Sequence, residues 1–67
     1  MDIGITVNSK SKVVPGGTTL LKLLISEGYE SRVAVWINGT QLLIGEYASR
    51  ELKDSDTIKI LRLAAGG

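Results

Sequence analysis

The sequence predicts an α+β domain in which a single helix packs across a mixed sheet of four to five strands. Three features point that way. Apolar residues alternate with small or polar ones at both ends of the chain, as Ile3, Ile5 and Val7 near the start and Ile58 and Ile60 near the finish. That period of two is the mark of a half-buried strand. Between them lies one stretch of helical spacing, Leu20, Leu21, Leu23 and Leu24, whose stripe is wide enough to face a core. Turn-forming residues separate these segments at short intervals.

In chain order, Ile3 to Val7 form the first strand, and Asn8-Ser9-Lys10-Ser11 turn the chain. Val13 and Val14 make a short second strand, closed by Pro15-Gly16-Gly17, so the two strands form a hairpin. Thr18 or Thr19 caps the helix through a hydroxyl that accepts an orphan backbone N–H. The helix is expected over residues 19–27, with Gly28 ending it at positive φ. Residues 33–37 are β-rich and stop at Asn38-Gly39, a strong tight-turn signal. Residues 41–44 suit a brief edge strand, and 45–49 an irregular crossing. Lys53-Asp54-Ser55-Asp56 is a polar turn, in which both carboxylates are expected to be solvated rather than to bind metal or move protons. The last strand starts at Ile58. A helix crossing between hairpins lets the first and last strands lie side by side in the middle of the sheet. Leu20, Leu23, Leu24, Val35, Ile58 and Ile60 are the expected core.

The composition excludes several classes of function. The 67 residues include no Cys and no His. That removes thiolate chemistry, disulfides, the usual general base and the commonest metal ligand, so neither a metal site nor a catalytic constellation is expected. Hydrophobic residues make up 43%, charged residues 22%, and the net charge is +1. Without a basic run, nucleic acid is not an expected partner. The longest apolar runs are far too short to span a bilayer, no signal peptide is recognisable, and a cytoplasmic monomer is the default expectation.

Alternation also nominates a surface. With Val33, Val35 and Ile37 pointing inward, Trp36 points outward. With Ile58 and Ile60 inward, Lys59 and Leu61 point outward. If the two strands are neighbours, Trp36 and Leu61 form an exposed apolar patch beside Lys59. Such patches mark partner sites, and tryptophan is a favoured anchor. Arg62, next to the chain end, is a further candidate contact for acidic groups on a partner.

Several segments resemble one known family. Gly17-Thr18-Thr19-Leu20 with Leu23-Leu24, then Val33-Ala34-Val35 leading to Asn38-Gly39, then Leu52-Lys53-Asp54 with Asp56, and finally Gly66-Gly67 together resemble the thiamin-pathway sulfur carriers of the ThiS family. A weaker likeness extends to MoaD, the small subunit of molybdopterin synthase, and to ubiquitin. The chain departs from the family at Leu43-Ile44, where many members carry Pro-Arg, at Ser55, where the family has Gly, and at Ala64-Ala65 before the terminal pair.

The resemblance implies a ubiquitin-like β-grasp domain over residues 1–63 and a flexible tail over 64–67. It implies a co-substrate, not an enzyme. The Gly67 carboxylate would be adenylated by a partner of the ThiF/MoeB type that uses ATP, then converted to a thiocarboxylate. The carrier itself would bind no cofactor. Thiazole synthase of the ThiG type would be the sulfur acceptor. Gly66 would let the terminus enter a narrow channel, since glycine has no side chain to obstruct passage, and Ala65 and Ala64 would keep the tail thin behind it. Molybdopterin or cysteine synthesis, a ubiquitin-like modifier and a non-covalent binding module stay open as alternatives.

Overall fold

A computed structural model describes residues 1–29 and 32–63. Strands β1 (Asp2–Val7) and β2 (Lys10–Pro15) pair antiparallel with Val7 opposite Lys10. The second strand is therefore longer than Val13-Val14. Asn8 and Ser9 alone make the turn, with φ of 49° and 70°. Positive φ at both central residues gives the twist that matches flanking strands, so pairing resumes at once.

Helix α1 (Leu20–Ser26) follows, with Thr19 and Glu27 as its caps. Its free N–H groups are all satisfied. Lys22 N donates to Thr19 Oγ1 at 3.3 Å. Leu20 N donates to Arg50 O at 2.8 Å and Leu21 N to Tyr47 O at 2.9 Å, which staples the helix start to residues 47–50. At the other end Gly28 N donates to Ile25 O at 3.1 Å and Tyr29 N to Leu24 O at 2.9 Å. This is a Schellman motif, and its left-handed residue is Gly28 at φ 80°.

Strand β3 (Val33–Ile37) turns at Asn38-Gly39, again with both φ positive, into β4 (Thr40–Gln41). The expected edge strand over 41–44 thus starts earlier and ends sooner. Leu43 N donates to Glu46 Oε1 at 2.8 Å, which draws the chain into a 3-10 turn at Ile44–Glu46. Strand β5 (Thr57–Arg62) completes the sheet.

The strand order is β2-β1-β5-β3-β4, with β1 and β5 parallel in the interior and the other pairs antiparallel. The first and last strands are neighbours, as expected for one helix crossing between hairpins. The α1 stripe packs on the inner face. Leu20, Leu23, Leu24, Val35, Ile58 and Ile60 are all buried, between 0% and 6% exposed.

One polar expectation is corrected, that for Asp56, while Asp54 is exposed as expected. Asp56 is not solvated: it is buried and accepts from Asn38 Nδ2 at 2.9 Å and Lys53 N at 2.8 Å. Thr57 N donates to Asn38 Oδ1 at 2.9 Å, so the two turns lock each other. Asp54 accepts from Gly4 N at 2.8 Å, satisfying β1 beyond the reach of β5. Both carboxylates serve backbone donors.

Candidate functional site

The outer sheet face carries the patch nominated by alternation. In the β3–β5 pair Trp36 lies opposite Lys59, and Ala34 lies opposite Leu61. The antiparallel register puts all four side chains on the face away from α1. Trp36 and Leu61 are diagonal neighbours, a separation that large side chains bridge. Leu61 is 51% exposed, Lys59 is exposed and Trp36 is half-buried. Ala34 is buried although it faces outward, because Trp36 follows on its own strand and Leu61 sits across from it.

Arg62 lies elsewhere. It pairs with Val33 and continues the inward alternation of Ile58 and Ile60, so it emerges on the helix side of the sheet. Its guanidinium sits over the Tyr29 ring, 4.9 Å from the centroid. The Tyr29 hydroxyl accepts from Asn8 Nδ2 at 3.3 Å. The same Asn8 ties β1 to β5: its backbone N–H donates to Ile58 O at 2.9 Å, and its Oδ1 accepts from Ile60 N at 2.8 Å. Leu63 N donates to Arg32 O at 3.2 Å. Ala64, Ala65, Gly66 and Gly67 lie outside the described residues.

A second surface has no counterpart in the sequence expectations. Leu21, Leu24, Ile25, Tyr29, Ile44, Tyr47 and Ala48 line a groove of about 320 Å³ between α1 and the 3-10 turn. The signal available was Leu21 and Ile25, four apart on one helix edge beside the buried stripe. The Tyr47 side chain forms the floor. It is 4% exposed and donates its hydroxyl to Val33 O at 2.9 Å. Burial, which disfavours the phenolate, raises its pKa above the ordinary 10.0.

Among the described residues, no cluster of three or more His, Cys, Asp or Glu could hold a metal ion. No helix of the described residues is long and apolar enough to cross a membrane. The described surface offers an apolar patch with a cation at its border, carried partly by the strand that leads toward the chain end.

Comparison with known proteins bears on what is recognised. The fold matches the crystal structure of a thiamine biosynthesis protein (ThiS) from Geobacter metallireducens with a TM-score of 0.80 at 28% identity, covering 97% of this chain and 100% of that one. It also matches the solution structure of a thiamine biosynthesis protein from the same organism, with a TM-score of 0.76 at 28% identity over 97% of this chain and 88% of that one. No curated protein matches by sequence. The model of the ThiS family matches residues 5–67, from the first strand through the terminal glycine pair. With that match spanning nearly the whole sequence, the chain belongs to the ThiS family.

Proposed function

We propose that this chain is a sulfur carrier whose reacting group is the Gly67 carboxylate, and that it supplies sulfur to thiazole formation in thiamin biosynthesis. The observation that carries this reading is the family match running through Gly66 and Gly67. The names of the two structural relatives, both thiamine biosynthesis proteins, support the pathway.

A carboxylate resists attack because a nucleophile would have to expel oxide from a delocalised anion. In the proposed cycle a partner adenylating enzyme first joins the Gly67 carboxylate oxygen to the α-phosphorus of ATP, releasing pyrophosphate. A donor delivering sulfur at the sulfide level, as HS−, then attacks the acyl carbon; the C–O bond to AMP breaks, AMP departs with that electron pair, and loss of the S–H proton leaves a thiocarboxylate. The carrier supplies no general base to either step. Its contributions are the thin end and the surface that presents it. Trp36, Leu61 and Lys59 would dock the partner, with the two apolar side chains as anchor and the ammonium toward acidic groups. Gly67 would travel to the nucleotide site.

Deleting Gly66 and Gly67 tests this reading. The deletion shortens the reach by about 7 Å, while misplacing reactive atoms by even about 1 Å costs roughly a hundredfold in rate. Full-length and truncated chains are incubated with an adenylating enzyme, ATP and a sulfur donor, then weighed. The full chain gains the mass of one oxygen exchanged for sulfur, localised to Gly67, and the truncated chain gains nothing. Equal modification of both, or isopeptide-linked adducts in place of a thiocarboxylate, overturns the reading.

A further inference from the structure

We propose that Tyr29 is a positioning residue for the C-terminal tail, acting through Arg62. The inference rests on the carrier reading for its consequence, though not for its geometry. Leu63 directly precedes the tail in the sequence, so whatever holds the end of β5 holds the residue from which the tail departs.

That end is held on fewer sides than the rest of the strand. The β1 ladder stops at Val7 opposite Ile58. Asn8 then extends it by one bond, accepting from Ile60 N through its side chain at 2.8 Å. Among the described residues, the backbone beyond Ile60 has partners only on the β3 side, and the last of these bonds runs from Leu63 N to Arg32 O at 3.2 Å. On the helix side, among the described residues, the stacking of Arg62 on Tyr29 at 4.9 Å adds a further hold.

Tyr29 is well built to be a platform. Its backbone N–H closes the helix on Leu24 O at 2.9 Å, its hydroxyl takes the Asn8 amide at 3.3 Å, and its ring packs against the core. The ring is fixed by the same Asn8 that ties β1 to β5. A strand end held in place before encounter loses less freedom when the tail enters a partner, and pre-organisation of this kind lowers the cost of binding. Arg62 is itself exposed, and an exposed cation–π contact is too weak to decide the fold. Its strength suits a change in productive encounters of roughly two- to five-fold.

A double-mutant cycle in the full chain, with Tyr29→Leu and Arg62→Gln, tests the proposal by two readouts. In the free protein, amide exchange at Leu63 should quicken roughly two- to five-fold in each single variant, and Tyr29→Phe, which keeps the ring, should restore most of the protection. With the adenylating enzyme, each single variant should lower kcat/KM by a similar factor while kcat at saturation holds. The double variant should be no worse than the worse single. Leucine fills the apolar site of Tyr29, and Arg62→Gln alters an exposed side chain, so at least one variant stays folded. Unchanged Leu63 exchange in both singles overturns the proposal. So do multiplicative effects on kcat/KM, which would mean that Arg62 meets the partner directly. If the unsubstituted chain is never adenylated, the carrier reading falls while the exchange measurements still decide the anchor. If it is adenylated and Tyr29→Leu leaves kcat/KM untouched, the anchor falls alone.

Discussion

Replacing Tyr47 by Phe should cost the fold about 1 to 2 kcal/mol at neutral pH. The ring stays in place as a wall of the core, so no cavity forms. What disappears is the hydroxyl that donates to Val33 O at 2.9 Å, from a side chain only 4% exposed. A typical hydrogen bond contributes about 1 kcal/mol net, and a carbonyl left without its buried donor adds to the loss. For a domain this small, each kcal/mol lowers Tm by about 4 to 8 °C. The pH dependence gives an independent check. Burial raises the Tyr47 pKa above its ordinary 10.0. Below that value the phenol is protonated in both folded and unfolded chains, and its contribution is constant and fully present. As pH rises beyond it, the unfolded chain releases the proton while the folded chain retains it. Stability therefore falls with rising pH until the folded phenol ionises as well. Urea unfolding followed by Trp36 fluorescence, from neutral to alkaline pH, measures both effects. In the Phe variant the neutral-pH midpoint should drop and the Tyr47 share of the alkaline decline should vanish. A variant as stable as its parent at neutral pH, or with an identical alkaline decline, would refute the assignment of Tyr47 as a buried donor.

Ser55→Gly should stabilise the chain by up to about 1 kcal/mol: Ser55 sits at φ 72°, a region that costs a residue with a Cβ about 1 to 2 kcal/mol, partly offset by the greater unfolded freedom of glycine. A urea midpoint that stays put or falls counts against this strain. Trp36→Ala should weaken binding to the adenylating enzyme by about 2 kcal/mol or more, as loss of an interface anchor does, with circular dichroism unchanged. If the substitution unfolds the domain instead, Trp36 belongs to the core and the outer patch is not a docking face.

What could be read from the sequence follows from which interactions are periodic and which are not. A strand has a fixed period of two, so the sequence alone puts Trp36, Lys59 and Leu61 on outward-facing positions, and the β3–β5 register then joins them on one face. The same alternation puts Arg62 with Ile58 and Ile60, on the face opposite the patch, and its proximity to the chain end obscured that. The stripe Leu20, Leu23 and Leu24 announced the helix, and Gly28 its end. Burial of Tyr47 had no comparable signal, because its segment is an irregular crossing without a period and its hydrogen-bond partner is 14 positions away. Asp56 misled for a related reason. Within Lys53-Asp54-Ser55-Asp56 it looks solvated, and only the amide of Asn38, 18 positions distant, converts it into an internal acceptor. The terminal glycines carry no physical signal strong enough to name a reaction. Their meaning came from resemblance, and the family match through residue 67 is what supports it.

The parallel pairing of the first and last strands has a mechanical side. Force applied along the tail enters β5, which is flanked by β1 on one side and β3 on the other. Because β1 and β5 run in the same direction, pulling the two chain ends apart slides one strand along the other. The bonds from Thr6 N to Asp56 O and from Asn8 N to Ile58 O, both 2.9 Å, and from Ile60 N to Asn8 Oδ1 at 2.8 Å then share the load together. They do not open one after another as in a peeled hairpin. Pull on the end of this chain is thus met by several bonds at once in the middle of the sheet, on the strand that also carries Lys59 and Leu61.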